Sequence, residues 1–485
     1  MADSRAALGR GVAEPVAAAP GAPSSAGGSA RGTPQAPAAP ESPFLIDFFT
    51  VLRESRIEYC VERNHEGLPY NLCGHDIDIL VRRASVGAVL RIIEASARRH
   101  GGRTTSAGTQ RDGLHWVICL GNVESGIPWG VRIDLKPNLR WNGLEIGDLG
   151  AALTTATWRG IVRVQEPDTA ALFGLLKHTL FGGHPAKNRY HLQAAAAYQR
   201  APEKITGLVN GLFGRRGDCL LEILRTGQWY RMAACARQLR RSLHVRQLAA
   251  SPLRVLRNKF AHLLVYCRRI LNRPGMWVAV LGSDGAGKST LIERVRPDLE
   301  RLLHTNTTCY HFRPGLFPAL GVLAGRGAQT GPVTNPHAAP PSGPVGSALR
   351  MAYYTFDYFW GFALRIYPAL LRNPNVVFFD RYFHEYFVDP ARCRVRAPRW
   401  VVRFFSWFVP KPDLVVLLTA PPEVLHERKP ELPMEELRLQ RRRFEELAGS
   451  LREVVWVDTS GEVERSGEVL LRALLERFGR HLRWH

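Results

Sequence analysis

Apolar and polar positions change rhythm several times along the chain, and each rhythm predicts a different kind of element. Residues 1–42 are Ala, Pro, Gly and Ser with little else, too poor in apolar surface to offset the entropy of ordering, so a disordered tail is expected there. From Phe44 the character changes. Phe44 to Phe49 with Val51 and Leu52 predicts a helix, Ile57 to Val61 a strand and His75 to Val81 a second strand. Helical spacing returns over Val86 to Arg98, and Trp116 to Leu120 and Gly130 to Leu135 read as further strands. Residues 167–270 carry apolar positions at helical spacing throughout, ending in a basic amphipathic helix over Pro252 to Leu271. Turn chemistry at Asn272-Arg273-Pro274-Gly275 closes that region.

The last part of the chain has a different grammar. Met276–Leu281, Asn306–Phe312, Asn375–Phe379, Asp413–Leu418 and Glu453–Val457 are strand-length runs, mostly unbroken in apolar character and separated by helical segments. Strands that are apolar on both faces imply a parallel sheet covered by helices on both sides. Between them, 314–347 is rich in Gly and Pro without periodicity and is expected to be a flexible insertion, followed by an aromatic helix from Ala348 to about Leu371. The predicted fold class is α/β. A C-terminal doubly wound parallel sheet (273–485) is preceded by an α+β domain (43–166) and a helical region with a connector (167–272).

Composition adds partners and compartment. The formal net charge of +22 points to phosphates, nucleic acid or an anionic membrane as partners, and an arginine-rich genome would give the same figure. The basic helix at Pro252–Leu271 has two readings, a surface for an anionic membrane or a second subunit and a plain interdomain connector. Eight scattered cysteines without a C-x-x-C pair argue against disulfides and zinc and for a reducing cytoplasm. No apolar stretch reaches the roughly 18 residues of a membrane span.

One motif carries definite chemistry. Gly282-Ser283-Asp284-Gly285-Ala286-Gly287-Lys288-Ser289-Thr290 follows a strand and opens a helix, the context a phosphate-binding loop needs. Its glycines let successive N–H groups point at phosphate oxygens, and the helix N-terminus adds positive potential. Lys288 is placed to reach the β/γ-phosphates and Ser289 to ligate Mg²⁺.

A second candidate lies upstream. Asp76-Ile77-Asp78 puts both carboxylates on one face of a strand, and Asp134 sits among apolar residues on another. Hard oxygen ligands on neighbouring strands suit a divalent metal that holds polyphosphate. Over about residues 45–165 the segment resembles the nucleotidyltransferase superfamily, a resemblance that implies metal binding by Asp76, Asp78 and Asp134. The Gly-Ser turn of that superfamily is missing; Glu62-Arg63-Asn64-His65-Glu66-Gly67-Leu68 stands there instead. Two readings stay open, a transferase and a binding domain that has lost turnover. Lys177, His178, Lys187, Arg189, Tyr190 and His191 either line this pocket or belong to a solvated face.

The phosphate loop, the strand-end Asp380-Arg381-Tyr382, the run from Pro412 through Leu418 to Pro421-Pro422-Glu423, and Val457-Asp458-Thr459-Ser460 occur in that order. Together they resemble thymidylate kinase, a nucleoside monophosphate kinase, over about 274–480. The resemblance implies ATP and Mg²⁺ as cofactors, and catalytic roles for Lys288, Asp380, Arg381 and Arg428. Asp380 would organise Mg²⁺ with Ser289, although a helix N-cap is the other reading of that residue. Arg381 would bind the acceptor phosphate, Asp284 would face the acceptor sugar, and Arg428 with Lys429 would form a cationic lid ahead of Arg438, Arg441, Arg442 and Arg443. The segment Phe383 to Pro390 and the lid both depart from housekeeping thymidylate kinases, so the acceptor stands as a nucleotide (dTMP-like) or a sugar. The expected activity is transfer of the γ-phosphoryl group of ATP to a small phosphorylated or hydroxyl acceptor, in the cytoplasm and possible in a homodimer. The alternatives are an ATP-dependent scaffold or sensor that binds nucleic acid, and a bifunctional kinase and nucleotidyltransferase.

Overall fold

The computed structural model describes residues 39–109, 111–124, 126–180, 188–323, 340, 342–372 and 375–481. The predicted tail lies outside these up to residue 38. Within them the chain is a mixed α/β structure with one all-parallel sheet and many helices.

The first half opens with α1 (Ser42–Glu54), β1 (Tyr59–Val61), β2 (Ile77–Val81), α2 (Val86–Arg99), β3 (Gly102–Thr109), β4 (His115–Gly121) and β5 (Trp129–Lys136). A small hairpin β6 (Arg140–Trp141) and β7 (Leu144–Glu145), helix α3 (Leu149–Thr154), and β8 (Thr157–Arg159) with β9 (Val162–Val164) complete it. Seven strands make one mixed sheet in the order β3-β4-β5-β2-β1-β9-β8. β3 escapes a hydrophobic reading because Gly102–Thr109 holds a single small apolar residue, Ala107. Its pairing with β4 decides its state instead.

Helices follow in chain order: α4 (Pro167–Leu180), α5 (Asn188–Arg200), α6 (Pro202–Phe213), α7 (Asp218–Thr226), α8 (Met232–Ala250) and α9 (Pro252–Leu271). Their core, around Leu172, Leu176, Val209, Ile223 and Leu239, is continuous with Leu80 of β2, Leu144 of β7 and Leu153 of α3. Here the cysteine expectation is corrected. Cys219 on α7 and Cys235 on α8 form a disulfide across Cα atoms 5.9 Å apart, a proximity set by helix packing that a spacing of sixteen residues does not advertise.

The last part comprises β10 (Met276–Leu281), α10 (Lys288–Leu303), β11 (Thr307–His311), α11 (Leu320–Leu323), α12 (Pro344–Gly361), α13 (Tyr367–Arg372), β12 (Val376–Asp380), α14 (Glu385–Val388), α15 (Arg399–Ser406), β13 (Leu414–Thr419), α16 (Pro422–Arg428), α17 (Met434–Ala448), β14 (Val454–Asp458) and α18 (Val463–His481). The five strands are all parallel, in the order β11-β12-β10-β13-β14. β10 is central, so the loop after it leaves the carboxyl edge at mid-sheet, where ligands bind in such folds.

The aromatic helix differs from its expected bounds. It starts at Pro344, a residue suited to the first turn, and passes through a π-helical stretch at Phe362–Ile366 before α13. The start of the expected insertion is pinned. Buried Asp357 accepts from the backbone N–H of Gly315 (3.1 Å) and Phe317 (2.8 Å) and pairs with Arg313 (2.8 Å). Residues 324–339 of that insertion lie outside the described residues.

The two sheets share a core. Trp116, Ile118 and Leu120 from β4 pack with Leu299, Leu302 and Leu303 of α10 and with the parallel sheet beyond. Gly130 of β5 touches the Leu302 backbone so closely that a Cβ there would lie 1.9 Å from the Leu302 carbonyl oxygen. The helix that begins with Lys288 is therefore seated on the first sheet. The basic helix α9 buries Val255, Asn258 and Arg269, while its large apolar residues face outward.

Candidate functional site

The phosphate loop joins β10 to α10. Gly285 (φ 83°) and Gly287 (φ 76°) adopt left-handed backbone conformations that side chains rarely tolerate. A Cβ on Gly285 would also meet the Leu425 carbonyl at 2.8 Å. Lys288 is buried and donates to the carbonyls of Gly282 (2.8 Å) and Ser283 (3.0 Å). Burial, with the neighbouring Arg381 charge, lowers its ammonium pKa to about 8. The amine thus rests on the loop's own carbonyls, close to where a phosphate would take it over.

Asp380 ends β12 one strand away. Its Oδ2 accepts from Ser289 Oγ at 2.5 Å, while Oδ1 is buried and has no partner among the described residues. Burial pushes this carboxyl up, but the neighbouring His311 ring, the hydrogen bond from Ser289 and the charge of Lys288 outweigh it and bring it down to about 2. It is a held carboxylate with an oxygen to spare. The helix N-cap reading is not met, because α14 begins five residues later, at Glu385, with His384 at its N-cap.

Arg381 has a positive φ of 71°, strained for a non-glycine residue and worth of order 1–3 kcal/mol. Its guanidinium is buried against Asp284 Oδ1 and, at 3.4 Å, Glu385 Oε2. Arg392 takes Asp284 Oδ2. Burial raises the Asp284 pKa, but the two arginines outweigh it and the carboxyl lies well below the usual range. Burial raises that of Glu385, and its Oε1 has no partner among the described residues.

A cavity of about 730 Å³ gathers these groups: residues 284–291 of the loop and α10, with Asp380, Arg381, Arg392, Arg428 and Lys429 around it. Gly282 and Ser283 lie behind the lining, as carbonyl acceptors for Lys288. Arg428 is exposed and reaches the Ser460 carbonyl at 3.4 Å; Lys429 pairs with Glu431 at 3.1 Å. The arginines of α17 do not line the cavity. Arg438 reaches Glu423 (3.6 Å), Arg441 reaches Glu445 (3.2 Å) and Arg443 reaches the Val388 carbonyl (2.7 Å).

The upstream carboxylates also meet. Asp76, Asp78 and Asp134 offer oxygens within 4.8 Å of one another, because Asp78 and Asp134 are register partners on parallel β2 and β5. The oxygens of Asp78 and Asp134 are engaged, however. Arg63 takes Asp78 Oδ2 and Lys136 takes Oδ1. Arg132 takes both oxygens of Asp134, at 2.9 and 3.2 Å. Glu62, next in the same row, is held by Lys136 (2.8 Å) and Lys177. Burial raises the Glu62 pKa, but these two amines outweigh it and set it at about 2, while burial lowers that of Lys177 to about 8. Glu62, Asp76, Asp78 and Asp134 thus face Arg63, Arg132, Lys136 and Lys177, which balance their formal charge.

Sequence reasoning missed Arg392, Glu385 and His311 in the first site, and Arg63, Arg132, Lys136 and Glu62 in the second. Arg392 had no local signal; folding brings it across 108 residues to Asp284. No protein-family model matches the chain, and no curated protein matches it. Among solved structures, the thymidylate kinase of Ehrlichia chaffeensis is similar at 14% identity, over 41% of this chain and 98% of that one, with a TM-score of 0.29.

Proposed function

We propose that the protein is an ATP- and Mg²⁺-dependent phosphotransferase of thymidylate-kinase type, moving the γ-phosphoryl group of ATP to a nucleoside monophosphate or a related acceptor. The observation that carries this reading is the Ser289–Asp380 pair beside the left-handed glycine loop, with a buried Asp380 Oδ1 that has no partner among the described residues. The donor set fits the cofactors. Loop N–H groups and Lys288 suit a triphosphate, and a hydroxyl with a low-pKa carboxylate suits a hard divalent ion. Bound Mg²⁺ would supply neutralisation of charge on the phosphate oxygens.

The chain's own residues do the rest. Lys288 leaves the Gly282 and Ser283 carbonyls for the phosphates, and Arg428 and Lys429 bring cations from the α16 side when the lid closes. Across the cavity, Asp284 is held by Arg381 and Arg392, and we assign this trio to the acceptor. An anionic acceptor would compete with Asp284 for Arg392, the more exposed of the two guanidinium groups. In the upstream row, protein cations already engage Asp78 and Asp134. We read that row as a support or binding element without a metal and derive no reaction from it.

The test is coupled ADP release by the full chain with dTMP, dUMP, UMP, CMP and a panel of sugars, alongside Lys288→Ala. Turnover with at least one acceptor, and loss of ATP binding in the variant at an unchanged melting temperature, is expected. Unchanged affinity and turnover in Lys288→Ala would overturn the assignment. Pyrophosphate release that disappears in Asp76→Ala would overturn the reading of the upstream row.

A further inference from the structure

Helix α9 turns its apolar side to water. Leu253, Leu256, Phe260, Leu263, Leu264 and Leu271 recur every three or four residues for most of its length and are between 45% and 82% exposed. Spacing of this kind makes a continuous stripe down one face. A surface helix ordinarily turns such a stripe to the core. Here the opposite side is inward, with Asn258 Nδ2 donating to the Gly143 carbonyl at 3.2 Å and Val255 buried.

Arg254, Arg257, Lys259 and Arg268 flank the stripe, and the helix contains no acidic residue. Among the described residues, Arg254 alone of these four reaches a carboxylate, Glu145 at 3.7 Å. Two further helices expose large apolar residues. α12 carries Leu349, Phe356, Phe359 and Trp360 outward, and α15 carries Trp400.

We propose that α9 is a docking surface for an anionic lipid bilayer, lying in the membrane plane with its leucines below the headgroups. Charge selects this occupant over others. In a second copy packed on the same stripe, the basic flanks would face each other with no acidic residue of α9 to answer them. A nucleic acid would satisfy the arginines and leave the leucines in water. A bilayer answers both at once, since long basic side chains reach up to anionic headgroups while their neighbours enter the acyl region. Aromatic residues favour the same boundary. No described helix is long and apolar enough to cross a membrane, so the attachment proposed is peripheral. It is independent of the reaction assigned to the cavity.

The experiment is co-sedimentation of the full chain with phosphatidylcholine vesicles, with and without phosphatidylglycerol. The variants are Leu256→Glu/Phe260→Glu and Arg257→Glu/Arg268→Glu, all at exposed positions outside the cavity. The wild-type chain is expected to bind only the phosphatidylglycerol vesicles, less so as salt rises, and each double variant to lose at least tenfold in affinity. Melting temperatures, and ATP affinity in solution, should stay unchanged. Equal binding to both vesicle types, no binding at low salt, or full binding by the leucine variant would overturn the proposal. So would light scattering that shows a dimer split by Leu256→Glu/Phe260→Glu without any vesicle binding.

Discussion

Gly130→Ala tests whether the phosphate-loop helix depends on the first sheet. The added Cβ would sit 1.9 Å from Leu302 O, 2.6 Å from Leu302 C and 2.7 Å from Leu302 Cα. This is about 1.5 Å short of ordinary contact, and because the obstacle is backbone no rotamer change relieves it. Either β5 or α10 must retreat. The retreat opens the layer in which Trp116, Ile118 and Leu120 meet Leu299 and Leu303, and a gap of 0.5–1 Å already forfeits roughly a quarter to a half of each dispersion contact. Overpacking of this kind costs typically 1–3 kcal/mol, and the upper end applies here. Alanine returns about 0.4–1 kcal/mol through the unfolded chain. The net loss is about 2 kcal/mol, or roughly 2–3 °C in melting temperature for a unit of this size. Scanning fluorimetry at one fixed scan rate reads it. Gly207→Ala is the control, since a Cβ there meets nothing within 4 Å on exposed α6 and should raise stability by up to about 1 kcal/mol. A Gly130→Ala melt within about a degree of wild type would refute the shared core.

Glu62→Gln leaves Lys136 and Lys177 facing a neutral amide in a buried row, which should cost about 3 kcal/mol or more in denaturant unfolding. The same row makes stability acid-sensitive. Lys136 and Lys177 outweigh the burial of Glu62 and depress its folded pKa to about 2, so its contribution is full above the unfolded value of 4.5 and is lost as pH falls toward 2. Asp134, whose pKa burial raises, works in the opposite sense. Melting temperatures from pH 6 down to about 2.5 should therefore fall less steeply in Glu62→Gln than in wild type. Asp380→Asn keeps the shape of the Ser289 contact but removes its charge, and should retain ATP binding while slowing turnover on the order of a hundredfold or more. Coupled ADP release together with ATP titration separates the two effects, and equal turnover would remove Asp380 from the site.

The elements that were legible in the sequence are those whose cause is local. Met276–Leu281 and 414–418 are unbroken apolar runs because both faces of the parallel sheet are covered. The loop at Gly282–Thr290 is readable because its glycines and Lys288 act within a few residues of one another. Where the cause was distant, the reading failed. β3 is a strand through its partner β4, and the Cys219–Cys235 bond follows from how α7 meets α8. Asp284 shows both cases at once, since its position in the loop was plain but Arg392, which holds it, comes from beyond Asp380.

The upstream carboxylates fall between these cases, and they show which local signal was passed over. Arg132, Asp134 and Lys136 alternate along β5, so the period of two that puts Asp134 on its face puts a base on each side of it there. Parallel pairing then sets Asp78 beside Asp134, and Lys136 reaches across to Asp78. An acid bracketed at two residues by bases on one strand face has counter-ions built in, which a divalent ion at Asp76, Asp78 and Asp134 would have to displace. Reading the flanking positions at that period, and not only the apolar neighbours at 133 and 135, brings these counter-ions into view. Neutralising both Arg132 and Lys136 would remove cations from Asp78 and Asp134 together, and leave the row the unbalanced negative charge that a divalent ion answers.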